Sequence, residues 1–209
     1  TYNVLPNALL VNFKAVQFEF SPDARHGRVR VATDPVLTNL EIENNLELVD
    51  GPCRGYQAGI AFNHGDPESL ARVVLDGQFS RRCSTYWLGR TVLQHDTFAF
   101  GVFESLWGEV GGSFSGKLRQ ATIPVETAPT LVWQSKPLGE VVRSINKNSN
   151  NVMTRQLLYT LGAEAAGAPG TRENGIAAVR ELLTARGLDI ESLVLQNGAG
   201  LSRDERASM

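Results

Sequence analysis

The sequence has little excess charge and no long apolar run. Its 209 residues carry 20 Lys or Arg against 22 Asp or Glu, a formal net charge of -2 at pH 7. A surface that binds nucleic acid needs a basic face to neutralise phosphates, so the composition argues against nucleic acid as a partner. No apolar stretch approaches the ~20 residues that a membrane-spanning helix requires, so we expect no transmembrane segment.

Cysteine and histidine are scarce. The two cysteines, Cys53 and Cys83, do not form a CxxC pair, and the three histidines are scattered without an HExxH motif. A zinc site needs several such ligands at short, regular spacings, so we expect no metal and no cofactor. The residues alone leave two alternatives for the cysteines. They are either two buried thiols or one disulfide, worth about 3–4 kcal/mol in an oxidising compartment.

The first two thirds of the chain show the pattern of β-strands. Residues 16–20 and 28–31 alternate between apolar and polar side chains, which places the apolar ones on one face of a sheet. Similar alternation on both sides of Asn44-Asn45 predicts a hairpin there. Asp76-Gly77 predicts another turn, at the end of a further strand.

Helical spacing occurs once within this region and dominates after it. A helix around residues 99–110 carries Trp107 on its apolar face, and we expect that side chain in the core. After the strands, amphipathic patterns predict three helices, the second of which ends at Gly162. The predicted fold class is therefore α+β, with a β-rich region over residues 1–133 and a helical region over 134–209.

A polar cluster lies between the first two of these later helices. Six of the eight residues from 144 to 151, SINKNSNN, are Asn or Ser. One or two such side chains can cap a helix by accepting its unpaired N–H groups, but capping does not account for six. The usual capping-box partner is missing as well, because the third residue after Ser149 is Val152 and not Glu or Gln. The pattern alone leaves open an ordinary cap and half of an active site.

Ser149-Asn150-Asn151, followed by an apolar helix, resembles the S-x-N element of penicillin-recognising serine enzymes. Three longer stretches extend the likeness over most of the chain: PLGEVVRSINKNSNNVMTRQLLYTLG, FESLWGEVGGSFSGKLR and NGAGLSR (197–203), with YNVLPNALLVNF near the start. Together they resemble the D-alanyl-D-alanine carboxypeptidase/endopeptidases among the class C low-molecular-mass penicillin-binding proteins, peptidase family S13. The resemblance implies the helical part of a transpeptidase-like domain that follows inserted β-rich material.

The resemblance implies hydrolysis of peptidoglycan stem peptides and cross-links, without a cofactor. In that family a serine attacks the D-Ala-D-Ala carbonyl, a lysine takes its proton, and water later clears the acyl-enzyme. Ser149 would join the proton relay toward the leaving amine. Asn151 would hydrogen-bond the substrate amide and help to fix the lysine. The glycines of NGAGLSR suit a tight loop, with Arg203 as a substrate-binding candidate at the edge of the cleft.

Two motifs of the family pattern do not occur in these 209 residues. The only S-x-x-K match, Ser144 to Lys147, overlaps the S-x-N segment, and one turn cannot build both walls of a cleft. None of the four lysines begins a Lys-[Thr/Ser]-Gly triplet. We therefore expect an internal fragment of an enzyme, inactive by itself because the nucleophile is absent. A degenerate homologue that has lost its catalytic serine would show the same pattern.

The resemblance also implies an environment. Such enzymes act in the bacterial periplasm, with peptidoglycan peptides and β-lactams as partners, and an oxidising compartment favours a disulfide between Cys53 and Cys83. The rival hypothesis is a non-catalytic peptidoglycan-binding or interaction module whose polar turn is only a cap. The sequence leaves the oligomeric state open.

Overall fold

A computed structural model describes residues 4–53, 59–64, 71–124 and 126–207. The chain divides into two compact units. One is Ala8–Thr122, and the other consists of the described parts of Tyr2–Asn7 and Ile123–Met209. Among the described residues the first unit contains the sheet, a 3-10 turn (Asn12–Lys14) and one α-helix, and the second contains three α-helices, so the predicted α+β class is confirmed.

The described part of the first unit is built around a mixed sheet and one α-helix. Among its described residues the strands are β1 (Val16–Asp23), β2 (Arg28–Asp34), β3 (Leu40–Val49), β4 (Ile60–His64), β5 (Ala71–Ser80) and β6 (Tyr86–Arg90). Their order across the sheet is β4-β5-β3-β2-β1-β6. β3 and β5 run parallel, and the other neighbours are antiparallel. The helix α1 (His95–Glu109) follows the last strand.

The core of this unit lies on one face of the sheet, as the alternating pattern predicted. Val16, Phe18 and Phe20 of β1 are completely buried, because a period of two sends every second side chain of a strand to the same face. They pack with the apolar residues of β5 and with Phe98 of α1. Removing each of these phenylalanines from water contributes about 2–3 kcal/mol.

The predicted hairpin at Asn44-Asn45 is wrong, because β3 runs unbroken through both residues. The apolar residues on either side occupy even positions throughout, so one continuous strand places them all on one face. Asn44 stands among them with its polar atoms satisfied. Its Nδ2 donates to the carbonyl of Val29 at 2.8 Å, and its Oδ1 accepts the N–H of Leu46 at 3.2 Å. The amide therefore takes part in the sheet and does not end the strand.

The predicted turn at Asp76-Gly77 is also wrong, because β5 continues to Ser80. Gly77 has a φ of 116° and lies against β4, where a Cβ atom would collide with the carbonyl oxygen of Gly59. The N–H of Gln78 donates to that same carbonyl at 2.8 Å. The glycine therefore permits a close approach of two backbones inside a sheet, which is another common use of glycine in strands.

The expected burial of Trp107 is not observed. The buried residues of α1 are Phe98 and Gly101, whereas Trp107 is 44% exposed. Its ring stacks on Phe103 with centroids 6.0 Å apart, and its Nε1 donates to the carbonyl of Ser113 at 3.1 Å. The apolar stripe in the sequence marks one side of the helix, but the side that faces the core is a different one.

A disulfide joins Cys53 and Cys83, as the resemblance implied. The two Cα atoms are 5.0 Å apart and the cysteines are separated by 30 residues. Cys83 packs against the core of the first unit. The bond therefore connects the segment after β3 with the segment between β5 and β6.

The second unit contains α2 (Leu138–Asn148), α3 (Asn151–Ala166) and α4 (Arg172–Ala185). The prediction that the helix now labelled α3 ends at Gly162 is wrong, because α3 continues for another turn and is capped by Gly167. Gly162 is buried, and a Cβ atom there would lie 2.7 Å from the backbone nitrogen of Gly175 on α4. The glycine is thus a point of close helix–helix contact.

Candidate functional site

The polar cluster forms a sharp turn between α2 and α3. Ser149 follows the last residue of α2 and has the left-handed backbone conformation, with φ 50° and ψ 50°. The N–H groups of Ser149 and Asn150 both donate to the carbonyl of Ile145. This closure of a helix end by a left-handed residue is a common C-terminal cap. The chain then enters α3 at once, since Asn151 is its first residue.

One residue of the cluster caps α3. The Oδ1 of Asn150 accepts the N–H of Met153 at 3.1 Å, which is the geometry of an N-cap. The carbonyl of Asn150 also accepts the hydroxyl of Thr154 at 3.0 Å. A second amide is used within α2, where Nδ2 of Asn148 donates to the carbonyl of Ser144 at 3.0 Å. Ordinary helix-end hydrogen bonding therefore accounts for Asn150 and Asn148.

Ser149 and Asn151 are not used in this way. Within the described part of the chain, neither side chain has a hydrogen-bond partner. Ser149 is exposed and Asn151 is half-buried. A serine hydroxyl and an asparagine amide each donate and accept hydrogen bonds, so the turn presents two bifunctional polar groups next to the capping Asn150. The cap fixes the backbone that carries them.

The backbone of Ser149 is strained for its residue type. A non-glycine residue in the left-handed region costs of order 1 kcal/mol, and glycine is the residue usually found at such a helix end. The residue at this position is a serine, and its hydroxyl makes no hydrogen bond among the described residues that would offset the cost. The strain is therefore consistent with a role for the hydroxyl outside the fold.

The overlapping S-x-x-K match lies wholly on α2. Ser144 and Lys147 are both exposed. Asn148 Nδ2 lies 3.4 Å from Ser144 Oγ, but no hydrogen bond joins that hydroxyl to Lys147 among the described residues. The pair therefore lacks the nucleophile–base hydrogen bond that marks an activated serine.

The glycine-containing segment 197–203 is a loop that packs against α3. Gly198 and Gly200 have φ values of 71° and 69°, which glycine adopts readily and which suit the tight loop expected of this segment. A Cβ atom on Gly198 would lie 3.7 Å from Leu158 and 4.0 Å from the methyl group of Thr154. Thr154 is one turn after Asn151 along α3. The structure thus brings the loop to the helix that begins with Asn151.

Arg203 lies near the end of this loop. Its side chain is exposed, and it forms no ion pair or hydrogen bond within residues 126–207. The guanidinium group is therefore free to meet an anionic group of a ligand.

Glu205, which no sequence pattern singled out, holds the loop together. Its Oε1 accepts the N–H groups of Gln196, Asn197 and Gly198 at 3.1, 2.9 and 3.1 Å. Burial acts to raise the pKa of Glu205, but these backbone N–H groups outweigh it and hold the pKa below its usual range. Nothing in the local pattern distinguishes this glutamate, because its partners lie seven to nine residues earlier in the chain.

The described residues contain neither a metal-binding cluster nor a membrane-spanning helix. No group of three His, Cys, Asp or Glu side chains there could hold a metal ion. No helix in the part of the chain that the structure describes is long and apolar enough to cross a membrane.

Solved structures identify the fold as that of a penicillin-binding protein. The chain matches penicillin binding protein 4 (dacB) from Haemophilus influenzae, complexed with a β-lactam, with a TM-score of 0.70 and 19% identity. That match covers 93% of this chain and 44% of the other chain. A second structure of the same protein gives a TM-score of 0.67 and covers 98% of this chain.

The family follows from the sequence comparisons. The model of the D-Ala-D-Ala carboxypeptidase 3 (S13) family matches residues 1–209, so the chain belongs to that family. It is 33% identical over 117 residues to a D-alanyl-D-alanine carboxypeptidase of Actinomadura sp. (strain R39). It is 24% identical over 132 residues to the D-alanyl-D-alanine carboxypeptidase DacB of Haemophilus influenzae. These matches span 54% and 63% of this chain but only 22% and 28% of the relatives.

Proposed function

We propose that this chain is part of a serine-type D-Ala-D-Ala carboxypeptidase/endopeptidase that hydrolyses peptidoglycan stem peptides and cross-links through an acyl-enzyme. Membership of the S13 family and the names of the two relatives support this function. The observation that carries it to particular residues is the pair Ser149 and Asn151, two polar side chains that have no hydrogen-bond partner among the described residues and lie on either side of a capping Asn150. A turn that only capped a helix would need Asn150 alone.

Each residue of the pair has a role that suits its chemistry. Ser149 takes part in the proton relay toward the leaving amine, because a hydroxyl can accept one proton and donate another. Asn151 hydrogen-bonds the amide backbone of the substrate and helps to fix the catalytic lysine, since its amide offers both donors and an acceptor. Arg203 binds an anionic group of the substrate at the edge of the cleft, which its exposed guanidinium permits.

The nucleophile and the Lys-[Thr/Ser]-Gly strand belong to parts of the complete protein outside these residues. In this proposal, residues 134–209 form the wall of the catalytic domain that carries S-x-N, and residues 1–133 form a β-rich insertion. The enzyme works in the periplasm on the peptides of the cell wall, an oxidising location that agrees with the Cys53–Cys83 disulfide. β-Lactams acylate it, and the β-lactam complex of the similar solved structure supports this expectation.

The function is tested on the complete protein that contains this chain. We expect a fluorescent penicillin to label it covalently, and a stem peptide ending in D-Ala-D-Ala to release free D-Ala. A substrate ending in two L-Ala residues is the control, and it should release nothing. Binding of peptidoglycan without labelling or release would instead support a non-catalytic binding module.

The position of the nucleophile is tested on the 209-residue chain alone. We expect no penicillin adduct by intact mass, because Ser144 makes no hydrogen bond to Lys147 and no other serine precedes a lysine at the required spacing. An adduct that maps to Ser144 would contradict this assignment. Ser144→Ala in the labelled chain would then confirm the site.

A further inference from the structure

The carboxylate of Glu205 occupies a small anion-binding concavity made by the backbone. Three consecutive N–H groups, those of Gln196, Asn197 and Gly198, converge on its Oε1 at 2.9–3.1 Å. Successive N–H groups of this kind form a nest that binds negative charge. The nest is filled by a side chain of the same loop, so it is an internal structural device and not an empty ligand site.

These hydrogen bonds are charge-assisted, which makes each of them stronger than a bond between neutral groups. The low pKa of Glu205 agrees with an ionised carboxylate in the folded chain. Its second oxygen, Oε2, is buried without a partner among the described residues. The carboxylate is therefore directed at the nest through Oε1.

Among the described residues, the other hydrogen bonds of the loop either join residues two or three apart, such as the N–H of Ala199 to Asn197 Oδ1 at 2.9 Å, or lie at its base. Val194 and Arg206 exchange two backbone hydrogen bonds of 2.9 and 3.1 Å, which close the loop. The side chain of Gln196 donates to Asp204 at 3.1 Å. Beyond this base, Glu205 connects the end of the loop to its beginning, where Gly198 touches α3. Arg203 lies two residues before Glu205 in the segment that is held in place.

We propose that Glu205 is a positioning residue for substrate binding: by filling the 196–198 nest it holds the glycine loop against α3 and thereby places Arg203 at the edge of the cleft. This inference rests on the proposed function, because it requires that Arg203 binds substrate. It assigns Glu205 itself no contact with substrate. Glu205 acts through Arg203, so the consequence of its loss is a substrate that binds more weakly while the chemistry of the bound complex continues.

The structural half of the proposal is tested by hydrogen–deuterium exchange in the complete protein. Glu205→Ala should speed exchange of the amides at 196–198 by about tenfold or more, because three charge-assisted bonds are lost together. Glu205→Gln, which keeps the shape but loses the charge, should give an intermediate increase. Glu181→Gln, at an exposed position of α4, is the control and should change nothing. Unchanged exchange in both Glu205 variants would overturn the proposal.

The functional half is tested by kinetics with a stem peptide. Glu205→Ala and Arg203→Ala should each raise KM by about tenfold, the loss expected of one charged hydrogen bond, with little change in kcat. The double variant should be no worse than either single one, since both changes remove the same interaction. Glu205→Gln, which preserves the packing of the loop, should show a smaller increase in KM and guards against a folding defect in Glu205→Ala.

Two outcomes would separate the possible failures. The positioning role is overturned if the increases in KM caused by Arg203→Ala and Glu205→Ala multiply in the double variant, or if Arg203→Ala leaves KM unchanged. In either case Glu205 only stabilises the fold. Asn151→Ala in the same assay tests the proposed function itself. If Asn151→Ala loses activity while the increases in KM at Arg203 and Glu205 multiply, only the positioning role is rejected. If Asn151→Ala keeps its activity, the positioning role and the proposed function are both rejected.

Discussion

The beginnings of α3 and α4 have the same cap in different surroundings. Asn150 Oδ1 accepts the N–H of Met153 at 3.1 Å, and Thr171 Oγ1 accepts the N–H of Asn174 at 3.1 Å. In both helices a side-chain oxygen bonds to the N–H three residues on. As far as capping is concerned, the two helix starts are equivalent.

Their neighbours differ. At α4 the cap is followed by Arg172, which is paired with Glu173 at 2.8 Å. At α3 the cap lies between Ser149 and Asn151, whose side chains have no partner in the described structure, and Ser149 has a left-handed backbone as well. One polar side chain is therefore enough to begin a helix in this protein. The additional ones at α3 are available for something other than folding.

The largest expected difference is in activity, between a variant that removes a hydroxyl before α3 and one that removes a hydroxyl before α4. Ser149→Ala should slow hydrolysis of a D-Ala-D-Ala peptide by about 10²-fold, the lower end of the range for a proton-transfer group. Hydrolysis of a matched ester should suffer less, because its leaving group depends less on protonation. Thr171→Ala, which also deletes a hydroxyl, should leave both rates nearly unchanged. Equal rate losses for the two variants would remove the distinction between the turns.

The two caps should contribute similarly to stability. Asn150→Ala and Thr171→Ala should each lower the free energy of unfolding by about 1 kcal/mol, since each leaves a helix N–H without its acceptor. Denaturant unfolding of the chain, followed by circular dichroism, measures both values. A loss at Asn150 several times larger than at Thr171 would show that the α2–α3 turn stabilises the fold through more than its cap.

Relieving the strain at Ser149 should separate stability from activity. Ser149→Gly removes the cost of a left-handed serine and is expected to stabilise the chain by about 0.5 kcal/mol, because glycine adopts this conformation freely but loses more entropy on folding. The same change deletes the hydroxyl, so peptide hydrolysis should fall as it does for Ser149→Ala. A thermal melt and one rate measurement suffice. Lower stability would contradict the assigned backbone cost.

The smallest expected effect is the pH dependence of the 196–205 loop. The pKa of Glu205 is lowered in the folded chain, so its stabilising contribution is complete above about pH 4.3, the pKa of an unfolded glutamate. It is lost as the pH falls below that value through the folded pKa. Amide exchange at 196–198, corrected for intrinsic rates, should therefore accelerate below pH 4 in the parent chain and much less in Glu205→Gln. An identical pH profile in both would contradict the role of the carboxylate.

Much of the fold was predictable from local patterns. Alternation gave β1 and β2, and helical spacing gave the three later helices, because both signals are contained within a few residues. The errors arose at residue types that usually mark a turn or the end of a helix but that here make a contact with a distant part of the chain. The side chain of Asn44 donates a hydrogen bond to β2. Gly77 and Gly162 permit close approach of the backbone next to β4 and of α4, respectively. A sequence shows the residue type at such positions but not the neighbour that requires it.

For the candidate site, the sequence indicated which residues to consider but not how they are hydrogen-bonded. The cluster and the S-x-N likeness pointed to Ser149 and Asn151, but only the backbone shows that Asn150 is the residue that caps α3. Glu205 was missed because its function depends on the path of a loop that brings three N–H groups to one oxygen. Such convergence has no signature in the order of residues.

The most direct test compares Asn150→Ala with Asn151→Ala in the complete protein, by thermal unfolding and by the rate of acylation with a fluorescent penicillin. Asn150→Ala should lower stability by about 1 kcal/mol and slow acylation only slightly. Asn151→Ala should leave stability nearly unchanged and slow acylation by about 10²-fold, as expected for a lost contact to the reacting groups. If Asn151→Ala instead lowers stability as much as Asn150→Ala and leaves acylation intact, the turn is only a cap and its assignment to the active site is wrong.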